Sequence, residues 1–177
     1  MINKAIIFAT NAHSNQYRKG SNTPYILHPL EAGIIVSQIT CDEDLICAAI
    51  LHDVIEDTKI TIETLEKEFN KRVADIVLSE SEDKSRSWKD RKTHTLESLK
   101  EEKSEEIGIV ALGDKLSNMR AIHRDIQRIG DELWKVFNVT DKNEHKWYYS
   151  GLVDSLNYLC EYNEYQEFKS LVYEIFK

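Results

Sequence analysis

Residues that interrupt helices are scarce in this sequence. Only 6 glycines and 2 prolines occur among 177 residues, and a chain with so few turn-forming residues favours long helices over many short strands. Apolar residues recur at helical spacing, and no segment has a convincing strand pattern. The sequence therefore predicts an all-α fold, and its length suits one domain over residues 1–177.

Basic charge, paired cysteines and long apolar runs are also lacking. The formal net charge is −8, which disfavours nucleic-acid binding because neutralising many phosphates needs a basic face. Three cysteines without a CxxC pair form no disulfide framework and indicate a reducing cytoplasm. No apolar run approaches the ~20 residues of a transmembrane helix, so no membrane partner is expected. A small phosphorylated ligand needs only a local basic cluster, and the oligomeric state is left open.

Capping residues predict where several helices begin and end. Residues 15–28 contain helix breakers and predict a loop, and a helix is expected to start near Pro29. Asp42 is expected to cap a buried central helix that continues through LICAAILHDVIEDT. Residues 80–90 are polar and predict a surface loop. A long helix is expected between a capping serine and a terminating glycine, over residues 104–130.

The predicted central helix carries ionisable residues among apolar neighbours. His52, Asp53, Glu56 and Asp57 would project within about 140° of arc, at ~100° per residue. Burying ionised carboxylates beside an imidazole costs free energy unless a cation offsets it. A divalent metal supplies that cation. Adjacent His52 and Asp53 cannot surround a metal alone, so further ligands are required.

Two residues elsewhere in the chain can complete a metal site. His28 stands at a loop-to-helix junction, and Asp114 follows the apolar run IGIVALG inside the long helix. Two imidazoles and two carboxylates form a mixed nitrogen and oxygen set that suits Mn, Fe, Co or Zn. The alternative is that Glu56 and Asp57 are only the solvated end of a helix. Three separated fragments together favour the metal site.

Four fragments carry a resemblance to a known family: AHSNQYRKGSNTPYILHPLE, AAILHDVIEDT, EFNKRVADIV and ALGDKLSNMRAI. They resemble the HD-domain phosphohydrolase superfamily, and within it the hydrolase domain of Rel/SpoT alarmone proteins and the stand-alone small alarmone hydrolases. The resemblance covers roughly residues 5–125 and continues more weakly to about residue 152. It implies an HD-type helical bundle that hydrolyses guanosine 3′,5′-bis-diphosphate (ppGpp) to GDP and pyrophosphate with Mn²⁺.

The resemblance also implies roles for individual residues. The implied metal ligands are His28, His52, Asp53 and Asp114. Glu56 and Asp57 would activate and orient the attacking water, and the residues implied beside the substrate are Arg18, Lys19 and Asn118. Independently of the resemblance, Tyr148 is a candidate to stack on the purine, although aromatic residues at helical spacing are more often core.

Two further features bear on this prediction. Lys84, Arg91 and Lys92 flank the polar loop and could reach a distal phosphate. Gly113 stands where alanine is commoner in the family. A glycine inside a helix weakens it by ~1 kcal/mol, but it allows close packing near the metal.

Three functions stay open from the sequence. The first is ppGpp 3′-pyrophosphohydrolase activity. The second is the same metal chemistry on another phosphorylated nucleotide, such as the 2′-phosphate of NADPH or a 5′-nucleotide. The third is a non-catalytic nucleotide-binding or scaffold module, which is disfavoured because all four ligand positions and the Glu–Asp pair are filled.

Overall fold

The computed structural model describes residues 1–177 as a series of helices joined by short connections. The α-helices, in chain order, are α1 (Ile2–Ala12), α2 (Leu27–Ile39), α3 (Glu43–Leu51), α4 (Val54–Asp57), α5 (Ile62–Glu68), α6 (Lys71–Glu80), α7 (Trp88–Glu102), α8 (Glu105–Ile129), α9 (Lys142–Ser155) and α10 (Asn163–Ile175). Two 3₁₀ segments, Gly130–Val136 and Asn157–Leu159, precede α9 and α10. Extended pairing is limited to one isolated bridge between Tyr17 and Pro24. The predicted all-α class is confirmed.

Side-chain caps form at several of the predicted helix boundaries. The Asp42 carboxylate accepts a hydrogen bond from the Asp44 N–H at 2.9 Å, and the Ser104 hydroxyl accepts one from the N–H of Ile107. Such bonds satisfy backbone donors that have no partner inside the helix. Helix α2 begins at Leu27, two residues before Pro29, close to the predicted start. His28 therefore lies in the first turn of α2.

The predicted central helix is interrupted at the His–Asp pair. Helix α3 ends at Leu51 and α4 begins at Val54, which leaves His52 and Asp53 in a turn. The His52 Nδ1 atom bonds the Ala49 carbonyl oxygen at 2.7 Å, which a continuous helix would pair with the Asp53 N–H. The prediction of one uninterrupted helix was wrong. The imidazole competes with the backbone for this carbonyl.

Helix α8 is the central element of the fold and packs against α2, α3, α6 and α10. Buried apolar side chains from α1 to α10 form one continuous cluster around it. Where α8 meets α2, a Cβ added to Gly113 would lie 2.8 Å from Val36 Cγ2 and 3.0 Å from the Ala32 carbonyl oxygen. The close approach expected at Gly113 is therefore present, and it brings Asp114 next to the start of α2. None of the helices combines the length and hydropathy that a transmembrane span requires.

Candidate active site

The four predicted metal ligands converge from three elements. His28 comes from α2, His52 and Asp53 from the turn after α3, and Asp114 from the middle of α8. Ligand atoms of His28, His52 and Asp114 all lie within 4.8 Å of one another. Asp53 Oδ2 lies 3.0 Å from His52 Nε2 and 3.6 Å from His28 Nε2. Two imidazole nitrogens and two carboxylates therefore share one buried space.

Hydrogen bonds orient both imidazoles so that Nε2 faces this space. His52 is held through its Nδ1 by the Ala49 carbonyl. His28 Nδ1 lies 2.9 Å from Ser117 Oγ, and the Ser117 hydroxyl in turn donates to Glu31 at 2.9 Å. Partners of this kind fix the tautomer and direction of metal-binding histidines. His52 Nε2 is buried without a hydrogen-bond partner, which a coordinated metal would explain.

The charges of the cluster also fit a divalent metal. Burial raises the pKa of Asp53, but the positive charge of a protonated His52 outweighs it and the net shift is downward. A divalent metal bound to a neutral His52 would supply positive charge at the same place. Burial likewise opposes ionisation of Asp114, and the charges of Lys115 and His52 overcome it, so its pKa is also lowered. Both carboxylates are therefore held in the ionised form that binds metals. Nitrogen and oxygen donors in this mixture suit Mn, Fe, Co or Zn.

Glu56 and Asp57 lie on α4 and contact the polar segment that follows α6. Glu56 Oε2 accepts a hydrogen bond from the Glu82 N–H at 3.2 Å. Lys84 Nζ donates to Asp57 Oδ1 at 2.6 Å and to the Glu56 carbonyl at 2.7 Å. Burial raises the pKa of Glu56, which makes it a better proton acceptor. The pair is thus partly enclosed instead of forming a freely solvated helix end.

The polar segment is shorter than predicted, because Ser87 caps α7 and the helix begins at Trp88.

Two of the predicted substrate residues adjoin Asp114. Arg18 Nη2 donates to Asn118 Oδ1 at 2.7 Å, and Asn118 Nδ2 donates to Asp114 Oδ1 at 2.6 Å. The loop before α2 and the middle of α8 therefore meet beside the metal cluster. Lys19 is exposed next to Arg18, and its contact with a substrate stays a prediction.

Tyr148 is buried in an aromatic cluster rather than open to a base. Its ring centroid lies 6.1 Å from that of Trp88, 6.5 Å from that of Trp147 and 5.5 Å from that of Tyr149. With 4% of its surface exposed, the ring does not offer the stacking face expected from the sequence. Its hydroxyl group, however, is buried without a hydrogen-bond partner.

Tyr25 is a residue of the site that the sequence patterns did not indicate. The Tyr25 hydroxyl donates to Asp53 Oδ2 at 2.6 Å and lies 3.2 Å from Asp57 Oδ2. It therefore links a metal-ligand candidate to the Glu–Asp pair. Burial raises the pKa of Tyr25, so the hydroxyl remains a donor at neutral pH. The only local signal is its position three residues before His28, to which a backbone turn joins it through the His28 N–H and the Tyr25 carbonyl oxygen at 3.0 Å.

Comparison with known families identifies the family to which the chain belongs. A family model described as "HD domain" matches residues 5–140. The chain belongs to the HD-domain family, and its buried cluster offers the mixed nitrogen and oxygen donors that suit a divalent metal. The resemblance to HD-domain phosphohydrolases seen in the sequence is confirmed.

Individual relatives are named as guanosine-3′,5′-bis(diphosphate) 3′-pyrophosphohydrolases or are described as hydrolysing ppGpp. A probable guanosine-3′,5′-bis(diphosphate) 3′-pyrophosphohydrolase from Synechocystis is 29% identical over 98% of this chain, which spans only 24% of that protein. The zebrafish (Danio rerio) guanosine-3′,5′-bis(diphosphate) 3′-pyrophosphohydrolase MESH1 is 37% identical over 78% of this chain and 76% of its own length. A solved structure of a metazoan SpoT ortholog described as hydrolysing ppGpp has a TM-score of 0.76 and 27% identity, covering 99% of this chain and 93% of that one.

Proposed function

We propose that this protein is a Mn²⁺-dependent guanosine 3′,5′-bis(diphosphate) 3′-pyrophosphohydrolase that acts as one domain over residues 1–177. The observation that carries the proposal is the convergence of a two-imidazole, two-carboxylate cluster with a Glu–Asp pair and with an arginine–asparagine pair. The names of the relatives over comparable lengths support the choice of substrate. The partner is then a small phosphorylated nucleotide.

The reaction requires two proton movements. Water attacks the phosphorus attached to the ribose 3′ oxygen, the bond between that phosphorus and the 3′ oxygen breaks, and the products are GDP and pyrophosphate. The attacking water loses a proton, and the 3′ oxygen gains one. When bound, a divalent metal supplies positive charge that stabilises the phosphoryl oxygens and acidifies water.

The proposed roles of the Glu–Asp pair follow from their surroundings. Glu56 would accept the proton of the attacking water, because burial raises its pKa towards the range of an effective general base. Asp57 would orient this water, since its two carboxylate oxygens are already positioned by Lys84 and Tyr25. A carboxylate held on both sides loses less freedom when it binds the water.

Arg18 and Asn118 would hold the nucleotide beside the cluster. Arg18 uses one guanidinium nitrogen for Asn118, which leaves other N–H groups for phosphate oxygens. Charge-assisted bonds of this kind position a phosphate with defined geometry, and positioning accounts for much of phosphoryl-transfer catalysis.

The metal assignment is tested by metal analysis of purified variants. His52→Ala and Asp53→Ala are expected to lose Mn²⁺, while Asp75→Ala, at an exposed aspartate on α6, is expected to keep it. Full occupancy in both cluster variants would contradict the assignment.

The substrate is tested by a Mn²⁺-supplemented assay of ppGpp, NADPH and GTP with product identification. We expect the highest kcat/KM for ppGpp, and we expect Arg18→Ala and Lys19→Ala to reduce it. Arg128→Ala, at an exposed arginine near the end of α8, is the control. Faster turnover of NADPH or GTP would reject ppGpp as the preferred substrate and leave the metal-hydrolase class intact.

A further inference from the structure

Two lysine side chains are buried next to the metal cluster. The side chains of Lys115 and Lys92 are 12% and 19% exposed. Lys115 Nζ pairs with Asp114 Oδ2, whereas Asp114 Oδ1 faces His28 Nε2 at 3.1 Å. One carboxylate therefore separates a buried ammonium group from the space where a metal would bind. Burial lowers the pKa of the Lys92 ammonium group.

The hydrogen-bonding capacity of this region is only partly used. Lys92 Nζ donates to Glu82 Oε1 at 2.7 Å, and Glu80 Oε2 lies 3.9 Å from Lys115 Nζ, beyond hydrogen-bond distance. An ammonium group has three N–H donors. Lys92 Nζ also lies 4.9 Å from the centre of the Tyr148 ring, and the hydroxyl of that tyrosine has no partner. Buried polar groups are normally hydrogen-bonded, so an unpaired hydroxyl on a ring that lies against the Lys92 ammonium group indicates a missing acceptor.

We propose that Lys92, Lys115 and the Tyr148 hydroxyl form a subsite for the terminal phosphate of the diphosphate that is removed. The inference rests on the proposed function. A phosphate oxygen accepts hydrogen bonds from ammonium and hydroxyl groups alike, and its bonds to the two ammonium groups are charge-assisted. The phosphate attached to the ribose would lie at the metal cluster, and the terminal phosphate would extend past Asp114 into the subsite.

This arrangement makes the subsite a determinant of specificity. A nucleotide with a single 2′ or 3′ phosphate can place that phosphate at the metal cluster but has no group for the subsite. A 3′-diphosphate fills both positions. The subsite therefore favours substrates that release pyrophosphate over substrates that release inorganic phosphate.

The test is calorimetric binding of pyrophosphate and of inorganic phosphate to the Mn²⁺-loaded protein. Tyr148→Phe and Lys92→Gln should each weaken pyrophosphate binding by about tenfold or more and phosphate binding by less than about twofold. Lys100→Gln, at an exposed lysine on the same helix as Lys92, should bind both anions like the parent protein. Tyr148→Phe removes a hydroxyl that has no partner, so its melting temperature should stay close to that of the parent.

The outcomes separate the subsite from the proposed function. Equal weakening of both anions, or unchanged pyrophosphate affinity in both variants, overturns the subsite. If the parent does not hydrolyse ppGpp but the variants lose pyrophosphate affinity selectively, the subsite stands and the proposed function fails. If the parent hydrolyses ppGpp and neither variant is impaired in pyrophosphate binding, the proposed function stands and the subsite fails.

Discussion

Substitution of Tyr25 by phenylalanine isolates the contribution of one hydroxyl group to the metal cluster. This hydroxyl donates to Asp53 Oδ2 at 2.6 Å and lies 3.2 Å from Asp57 Oδ2. Phenylalanine keeps the ring and its packing against His13 and His28, whose ring centroids lie 5.1 Å and 5.9 Å away. The variant therefore removes the hydrogen bond and leaves the shape of the site.

The expected loss of Mn²⁺ affinity is large because the acceptor of the Tyr25 hydrogen bond, Asp53, is charged. Hydrogen bonds to charged groups are worth about 1.5–3 kcal/mol, and loss of a partner that orients a metal ligand typically lowers metal affinity by about 10- to 100-fold. We therefore expect Tyr25→Phe to weaken Mn²⁺ binding by about 10- to 100-fold, which corresponds to about 1.4–2.7 kcal/mol. Turnover should also fall at saturating metal, because Asp57 loses one of the contacts that position it.

The assay is calorimetric titration of metal-free protein with Mn²⁺, followed by measurement of kcat at saturating metal. Tyr17→Phe is the matched control, because Tyr17 lies on the same loop and is 58% exposed. An unchanged dissociation constant for Mn²⁺ in Tyr25→Phe would refute the argument that this hydroxyl orients Asp53. A loss of affinity that Tyr17→Phe reproduces would show a general effect of the loop instead.

Four other substitutions test three separate parts of the structure. Glu56→Gln and Asp57→Asn should keep the metal but lose turnover by ~10²–10⁴-fold, as expected for loss of a general base or its partner; near-parental rates in both would remove the pair from the mechanism. Gly113→Ala should lower the free energy of unfolding, measured by urea denaturation, by about 1–2 kcal/mol. The added methyl group would clash with Val36 and with the backbone of α2, and this overpacking outweighs the gain in helix propensity. A more stable variant would contradict this argument. Burial raises the pKa of Glu80 to about 7, so the folded protein binds an extra proton between about pH 4.5 and 7 and stability falls as pH rises through that window. Glu80→Gln should remove this fall and raise the free energy of unfolding at pH 8 by up to about 3 kcal/mol; parallel stability curves for variant and parent at pH 5 and 8 would count against it.

The all-α fold could be predicted because its causes are local. Scarce glycine and proline, the caps at Asp42 and Ser104, and the terminating Gly130 act within one or two turns of the chain. The close approach at Gly113 could also be expected, because a missing side chain in a helix next to an apolar run is visible in the sequence. The prediction of one continuous central helix was wrong because the His52 imidazole takes the Ala49 carbonyl oxygen that the helix backbone would otherwise use.

The sequence by itself determined the composition of the candidate metal cluster, since two imidazoles and two carboxylates in a recognisable order define a donor set whatever the packing. Only the tertiary structure decided what surrounds that set. Tyr25 bonds a residue 28 positions away, the Tyr148 ring is enclosed by the packing of α7 and α9, and Lys92 Nζ lies 4.9 Å from the centre of that ring. Burial and ion pairing depend on which helices meet and at what distance, and the spacing of residues along one chain does not contain that information.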